Sequence, residues 1–159
     1  MKAPYASITF LTYEDVAVGN RFYQEVLGLP LIEDQGWAKV YRIHGSSHVG
    51  IVSARRGPID KPVGSGTLLS IVVEDVDAWY ETLRNESSIG ILAPPAMVGE
   101  LPVYSFFLKD PAGYHIEIQA FTDDGTQQRF GHISGQLHNT SGGCPCQSTD
   151  HDCHCQEDA

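Results

Sequence analysis

Residues Glu14-Asp15-Val16 recur sixty positions later as Glu74-Asp75-Val76, and the segments around them repeat one order of elements. Ahead of the first lies ASITFLTY, and ahead of the second TLLSIVV, both patterned as strands. A helical pattern follows each. In the first half Val18, Phe22 and Val26 recur every four residues, and Gly28 stands as a C-terminal stop. In the second, Val76, Trp79 and Leu83 mark one face. Asp15 and Asp75 occupy N-cap positions, where a carboxylate can accept from the free amides of the first turn. Further strand signals come next: AKVYRI and HVGIVSA in one half, VYSFFLKD and YHIEIQAF in the other. The turns between them are HGSSH and DPAG. The pattern predicts a βαβββ unit twice over, an α+β chain. One such unit leaves a sheet face open to water. Two placed side by side can bury that face and leave a concave cavity between them.

Charge and composition divide the chain. All ten Lys and Arg residues lie at or before Arg129, and all four Cys lie after it. Beyond Arg129 the sequence is too poor in apolar side chains to offset the entropy of ordering. The expected organisation is a paired domain over 1–128, with modules at about 4–56 and 64–122, and a flexible Cys/His-rich tail over 129–159. The net charge of −10 disfavours nucleic acid as a partner, because phosphates would be repelled. No apolar run approaches the roughly 20 residues of a membrane helix, and MKAPYASITF lacks the apolar core of a signal peptide. A cytoplasmic location is expected.

Three segments resemble one family. NRFYQEVLGLPL looks like the first-helix signature of the vicinal oxygen chelate superfamily, which holds glyoxalase I, bleomycin-resistance proteins and extradiol dioxygenases. DVDAWYETL is similar to its second-module helix, and FFLKDPAGYHIEIQAF to its closing hairpin. The resemblance covers roughly residues 6–121. It implies paired modules forming a half-open barrel around a cavity, often in a homodimer. It does not fix a function, because the family spans several chemistries and pure binding.

The resemblance also implies where a metal would sit. Metal-binding members place a His or Gln on the first strand of each module, and those positions here hold Ile8 and Leu68. The third position, a glutamate on the closing strand, matches Glu117. Aliphatic side chains cannot ligate a divalent transition metal. The family's metal, and any other cofactor in the domain, is therefore expected to be absent. Glu117 remains a candidate polar anchor or general base. Alternation puts it on one face with His115 and Gln119, opposite Ile116 and Ile118. Trp37, Tyr41, Tyr104, Phe106 and Tyr114 are candidates to stack a planar ligand. Burial in the core is the alternative for them, strongest for Phe106.

Two readings of different classes follow. One is a metal-free binding protein like the bleomycin-resistance branch, holding a hydrophobic or aromatic small molecule. The other is a glyoxalase- or dioxygenase-type enzyme using a metal to polarise adjacent oxygens.

The tail raises a third possibility, metal buffering or sensing. Cys144, Cys146, Cys153 and Cys155, with His151 and His154 among them, suit soft or borderline ions such as Zn, Cu, Ni or Cd. The C-x-C pairs are tighter than a closed zinc finger uses. The full chain is expected to bind thiophilic metal where a chain ending at residue 140 does not. Equal binding by both, read by elemental analysis after desalting, would reject a tail site.

Overall fold

The computed structural model describes residues 3–57 and 66–131. Strand β1 (Ser7–Tyr13) leads into helix α1 (Val16–Asn20), which continues as a π-helical turn over Arg21–Val26. Strands β2 (Leu31–Asp34), β3 (Ala38–His44) and β4 (Ser47–Ser53) complete the first module. The second runs β5 (Leu68–Val72), α2 (Val76–Leu83), β6 (Gly90–Ile91), β7 (Ala96–Met97), β8 (Val103–Lys109) and β9 (His115–Phe121). Helix α3 (Asp124–Arg129) follows, and Phe130 packs on Phe121 with ring centroids 4.6 Å apart.

The sheets repeat one topology. The first has the order β1-β4-β3-β2 and the second β5-β9-β8-β6, with β7 also on β8. In both, the opening strand runs parallel to the closing strand and lies at an edge. Pro94 and Pro95 split what would be one strand into β6 and β7, since proline has no N–H for the ladder. Asp15 and Asp75 cap the helices as expected: Asp15 accepts from the Ala17 amide at 2.8 Å and Asp75 from that of Ala78 at 2.9 Å. Gly28 ends the first helical segment with φ 66°, a value that favours glycine.

The first helical face departs from the fourfold spacing. Phe22 and the adjacent Tyr23 are both fully buried, while Val18 is 45% exposed. The π-helical turn is the cause. It closes with the Leu27 amide donating to the Phe22 carbonyl at 2.9 Å, and its wider turn carries neighbouring residues onto the core side.

Each sheet has one face against its helix and one left open. Leu11, Tyr13, Tyr41, Val49 and Ile51 fill the helix side of the first sheet; Ile71, Phe106, Leu108, Ile116 and Ile118 fill that of the second. These residues form one continuous core across both modules. Tyr13, Tyr23, Asp110 and Tyr114 join the halves. Asp110, at the end of β8, accepts from the Ala112 and Tyr114 amides on Oδ1, at 3.0 and 2.8 Å. Its Oδ2 accepts from the hydroxyls of Tyr13 and Tyr23. The Tyr114 hydroxyl accepts from the Thr12 amide at 3.0 Å, tying the second module to the edge of β1. No described helix is long and apolar enough to cross a membrane.

Burial pushes the Asp110 carboxyl above its ordinary value, and its four donors offset only part of that rise. Burial likewise raises the phenols of Tyr13 and Tyr23 far out of the physiological range. Both therefore stay neutral donors. Asp110→Ala should cost about 3 kcal/mol or more, because two phenols and two amides lose a buried acceptor; Tyr13→Phe should cost about 1–2 kcal/mol. Because the folded-state pKa of Asp110 lies above its unfolded value, its ionisation works against the fold. The wild type's advantage over Asp110→Asn should be greatest below the ordinary carboxylate range and shrink as pH rises through the folded value. Urea denaturation of both proteins across that range checks the sign.

Candidate functional site

Two sheet faces lie away from α1 and α2. On the first sheet the register aligns Ile8 with His48, Phe10 with Gly50 and Thr12 with Val52, and continues to Ala38 and Val40 on β3. On the second it aligns Leu68 with His115, Ser70 with Glu117 and Val72 with Gln119, and then Phe107 with Glu117 and Ser105 with Gln119. Residues paired in register share a face.

The first face is apolar. A cavity of about 200 Å³ lies there, lined by Phe10, Glu33, Gln35, Trp37, Ala38, Val40 and Val52. Its floor is Ala38, Val40 and Val52, all buried. Phe10 is a wall, its ring lying over Gly50, where an added Cβ would meet it at 2.4 Å. Trp37 is placed by the turn before β3. There Asp34 Oδ1 accepts from the Gly36 amide at 2.8 Å, and Gly36 adopts φ 76°. The Lys39 ammonium beside Asp34 holds that carboxyl below its usual range. Arg56 sits over the Trp37 ring, 5.5 Å from its centroid.

The second face is polar along β9. His115, Glu117 and Gln119 project there in a row, opposite Ile116 and Ile118. Glu117 is buried at 9% exposure, with Ser70 on one side and Phe107 on the other. Ser105, beside Gln119, is also buried, and its hydroxyl has no partner among the described residues. A cavity of about 300 Å³ lies away from both faces, between the end of the π-helical turn and α2, with Val26, Trp79 and Leu83 in its walls. Neither cavity is lined by both open faces.

Four aromatic candidates are committed elsewhere. Tyr41 faces the first helix, stacked on Tyr23 at 5.6 Å, and its hydroxyl donates to Asn20 Oδ1 at 2.9 Å. Phe106 meets Tyr80 of α2 edge-on at 5.4 Å. Tyr104 shares that side, its hydroxyl donating to Asp77 Oδ1 at 3.0 Å, and this bond raises its phenol pKa. Tyr114 is buried in the seam between the modules. These placements put Tyr41, Tyr104 and Phe106 on the helix side of their sheets and Tyr114 in the seam. Alternation puts Tyr104 and Phe106 together, but an aromatic run cannot say which side the helix takes. The open-face residues missed in the sequence were Phe10, Val40, Val52, Ser70, Ser105 and Phe107. Counting outward by twos from Glu117, across a register set by the DPAG turn, would have found Phe107 and Ser105.

The positions a family metal would use are described. Ile8 and Leu68 are half-exposed on the open faces. The repeat equates Ser70 with Phe10, and hence Glu117 with Gly50, which lies under the Phe10 ring. Ile8 and Leu68 supply no donor, and Glu117 alone is one ligand, so the residues do not fit such a metal. Among the described residues no group of three or more His, Cys, Asp and Glu is placed to hold one. Cys144, Cys146, His151, Cys153, His154 and Cys155 lie outside the described residues.

Fold and site together define a two-module βαβββ protein with two sheet faces away from α1 and α2, one apolar and one polar. The Glyoxalase/Bleomycin resistance protein/Dioxygenase superfamily matches residues 6–118, more than half of the chain, and the chain belongs to that superfamily. Several solved structures share the fold. One is a glyoxalase/bleomycin resistance protein/dioxygenase from Nocardioides, 18% identical, with TM-score 0.62 over 79% of this chain and 88% of that one. Another is a family enzyme from Burkholderia phytofirmans, 19% identical, with TM-score 0.62 over 72% and 97%. A third is a lactoylglutathione lyase from Agrobacterium tumefaciens, 19% identical, with TM-score 0.59 over 74% and 95%. No curated protein matches the sequence.

The Phe10–Gly50 contact sets one test of the apolar face. Gly50→Ala should displace the Phe10 ring and cost about 1–2 kcal/mol, since the half-exposed ring can swing toward solvent. The ring-current shifts of the Val40 and Val52 methyls should then change; unaltered methyl spectra would show that the ring does not wall the cavity.

Proposed function

We propose that this chain is a small-molecule-binding protein. It holds an apolar or aromatic ligand against the open face of its first sheet, without the family's usual metal. The observation that carries this reading is the cavity on that face, whose wall and floor are the apolar side chains of Phe10, Trp37, Ala38, Val40 and Val52. Glyoxalase- or dioxygenase-type turnover is the alternative. It would need metal donors at Ile8 and Leu68, where this chain has aliphatics.

The site is completed by a second copy of the chain. Ile8 and Phe10 on β1, and Leu68 and Val72 on β5, are large apolar residues 46–51% exposed on edge strands. Bare edges of this kind invite pairing. A two-fold axis would set β1 of each chain beside β5 of the other, covering both edges at once. The open face of the first sheet then lies opposite the second sheet of the partner copy. The Cys/His pairs of the tail form a separate proposed site for thiophilic metal, supported by four thiols between residues 144 and 155.

Native mass spectrometry of the full chain from its own host should give a dimer carrying an organic ligand. Leu68→Lys should shift it to monomer and release the ligand. Stoichiometric metal held by a chain ending at Gly131, with no organic ligand, would overturn the reading.

A further inference from the structure

We infer that the groove between the helices of the two modules is a second binding site, and that its ligand is a primary ammonium on a small apolar body. This site stands apart from the open-face cavity proposed above and does not depend on it. The groove has a volume of about 300 Å³ and lies between the C-terminal end of the π-helical turn and α2. Leu27 and Leu83, both buried, form its floor. Val26 and Trp79, half-buried, are its walls. Glu25 and Thr82 are exposed at its rim. The floor and walls offer apolar contact, and the rim offers the few polar groups that fix a ligand's orientation.

The rim and the helix end present acceptors. Glu25 is in neither of the described ion pairs, which are Lys39–Asp34 and Arg84–Glu81. The Thr82 hydroxyl donates to the Ala78 carbonyl at 2.9 Å, so its oxygen is left to accept. At the end of the first helical segment the Leu27 and Leu29 amides take the Phe22 and Tyr23 carbonyls. The carbonyls of Glu25 and Val26 are left without a donor among the described residues. A helix C-terminus also carries partial negative charge, which favours a cation there. No described Lys, Arg or His lines the groove to supply one. An ammonium has three donors and no acceptor, so it can meet these oxygens without stranding a group of its own. The Trp79 ring adds a cation–π surface in the same groove. A carboxylate ligand would meet Glu25 and the helix end as like charges, and a neutral one would gain contact area alone. The net charge of −10 adds a general attraction for cations. A ligand seated here touches both modules, bridging the first helical segment to α2.

Three probes with one body separate charge from contact area: cyclohexylmethylamine, cyclohexylmethanol and cyclohexanecarboxylate, titrated into the full chain at neutral pH. The chain has two tryptophans, Trp79 in the groove and Trp37 at the open-face cavity. Their indole N–H resonances therefore report the two places separately, and Trp79→Phe assigns them. The amine should move the Trp79 resonance with a Kd about tenfold below that of the alcohol, with the acid weakest. Glu25→Gln should bring amine and alcohol to within about threefold of one another. Thr82→Arg, which places a guanidinium at the rim, should abolish the amine response at Trp79. Both substituted residues are exposed, and unchanged circular dichroism shows that neither effect is unfolding. A Trp79 response with Trp37 unmoved supports the groove independently of the open-face cavity. Equal response of Trp79 to amine and acid would overturn the ammonium assignment. A response at Trp37 alone, or at neither indole, would overturn the site itself.

Discussion

The structure depends on one buried carboxylate. Asp110 closes the turn before β9 with one oxygen and holds two phenols of the first module with the other. Either task alone is ordinary for an aspartate. Together they make the local geometry of the second module's hairpin set the position of the first module's opening strand and first helix. Tyr13 comes from that strand and Tyr23 from the π-helical turn, so three elements converge on one atom. Phe22 and Tyr23 both point inward from that turn.

That convergence lies on the helix-covered side of the modules. Tyr13 shares its face with Leu11, and Tyr114 shares its face with Ile116, both against helices. The single continuous core consumes those faces and leaves the other two uncovered. Apolar residues on the first strand of each module stay half-exposed, although they stand on the strands best placed to be shielded by a paired module. Large exposed apolar residues grouped on edges mark an interaction surface more often than a tolerated defect. The proposed second copy follows from this joining of the modules, and the same joining favours no cavity enclosed by the two open faces of one chain.

Much of this was legible in the sequence, and the limit is physical. The sixty-residue repeat, the two aspartate caps, the Gly28 stop and the DPAG turn are local signals, and each holds in the structure. The alternation around Glu117 also placed His115 and Gln119 on its face. The aromatics of β3 and β8 lie on the helix side. Periodicity says which residues travel together, and only the packing of a distant helix says which side is inside. Tyr41 is held by Tyr23 and Asn20, and Phe106 by Tyr80; neither partner is visible from strand spacing. The fourfold helical pattern failed at Val18 because a π turn has no propensity signature at this length.

The repeat is most informative where its two halves disagree. Strand pairing makes Phe10 and Gly50 the counterparts of Ser70 and Glu117. In one module the pair is an aromatic ring folded over a glycine, making an apolar wall. In the other it is a hydroxyl beside a nearly buried carboxylate. The apolar face has only Glu33 and Gln35 as polar side chains around its cavity, and the polar face has no floor like that of Ala38, Val40 and Val52. The two modules have kept one topology while diverging in chemistry, so apolar contact area and charge lie on different faces of the same repeat.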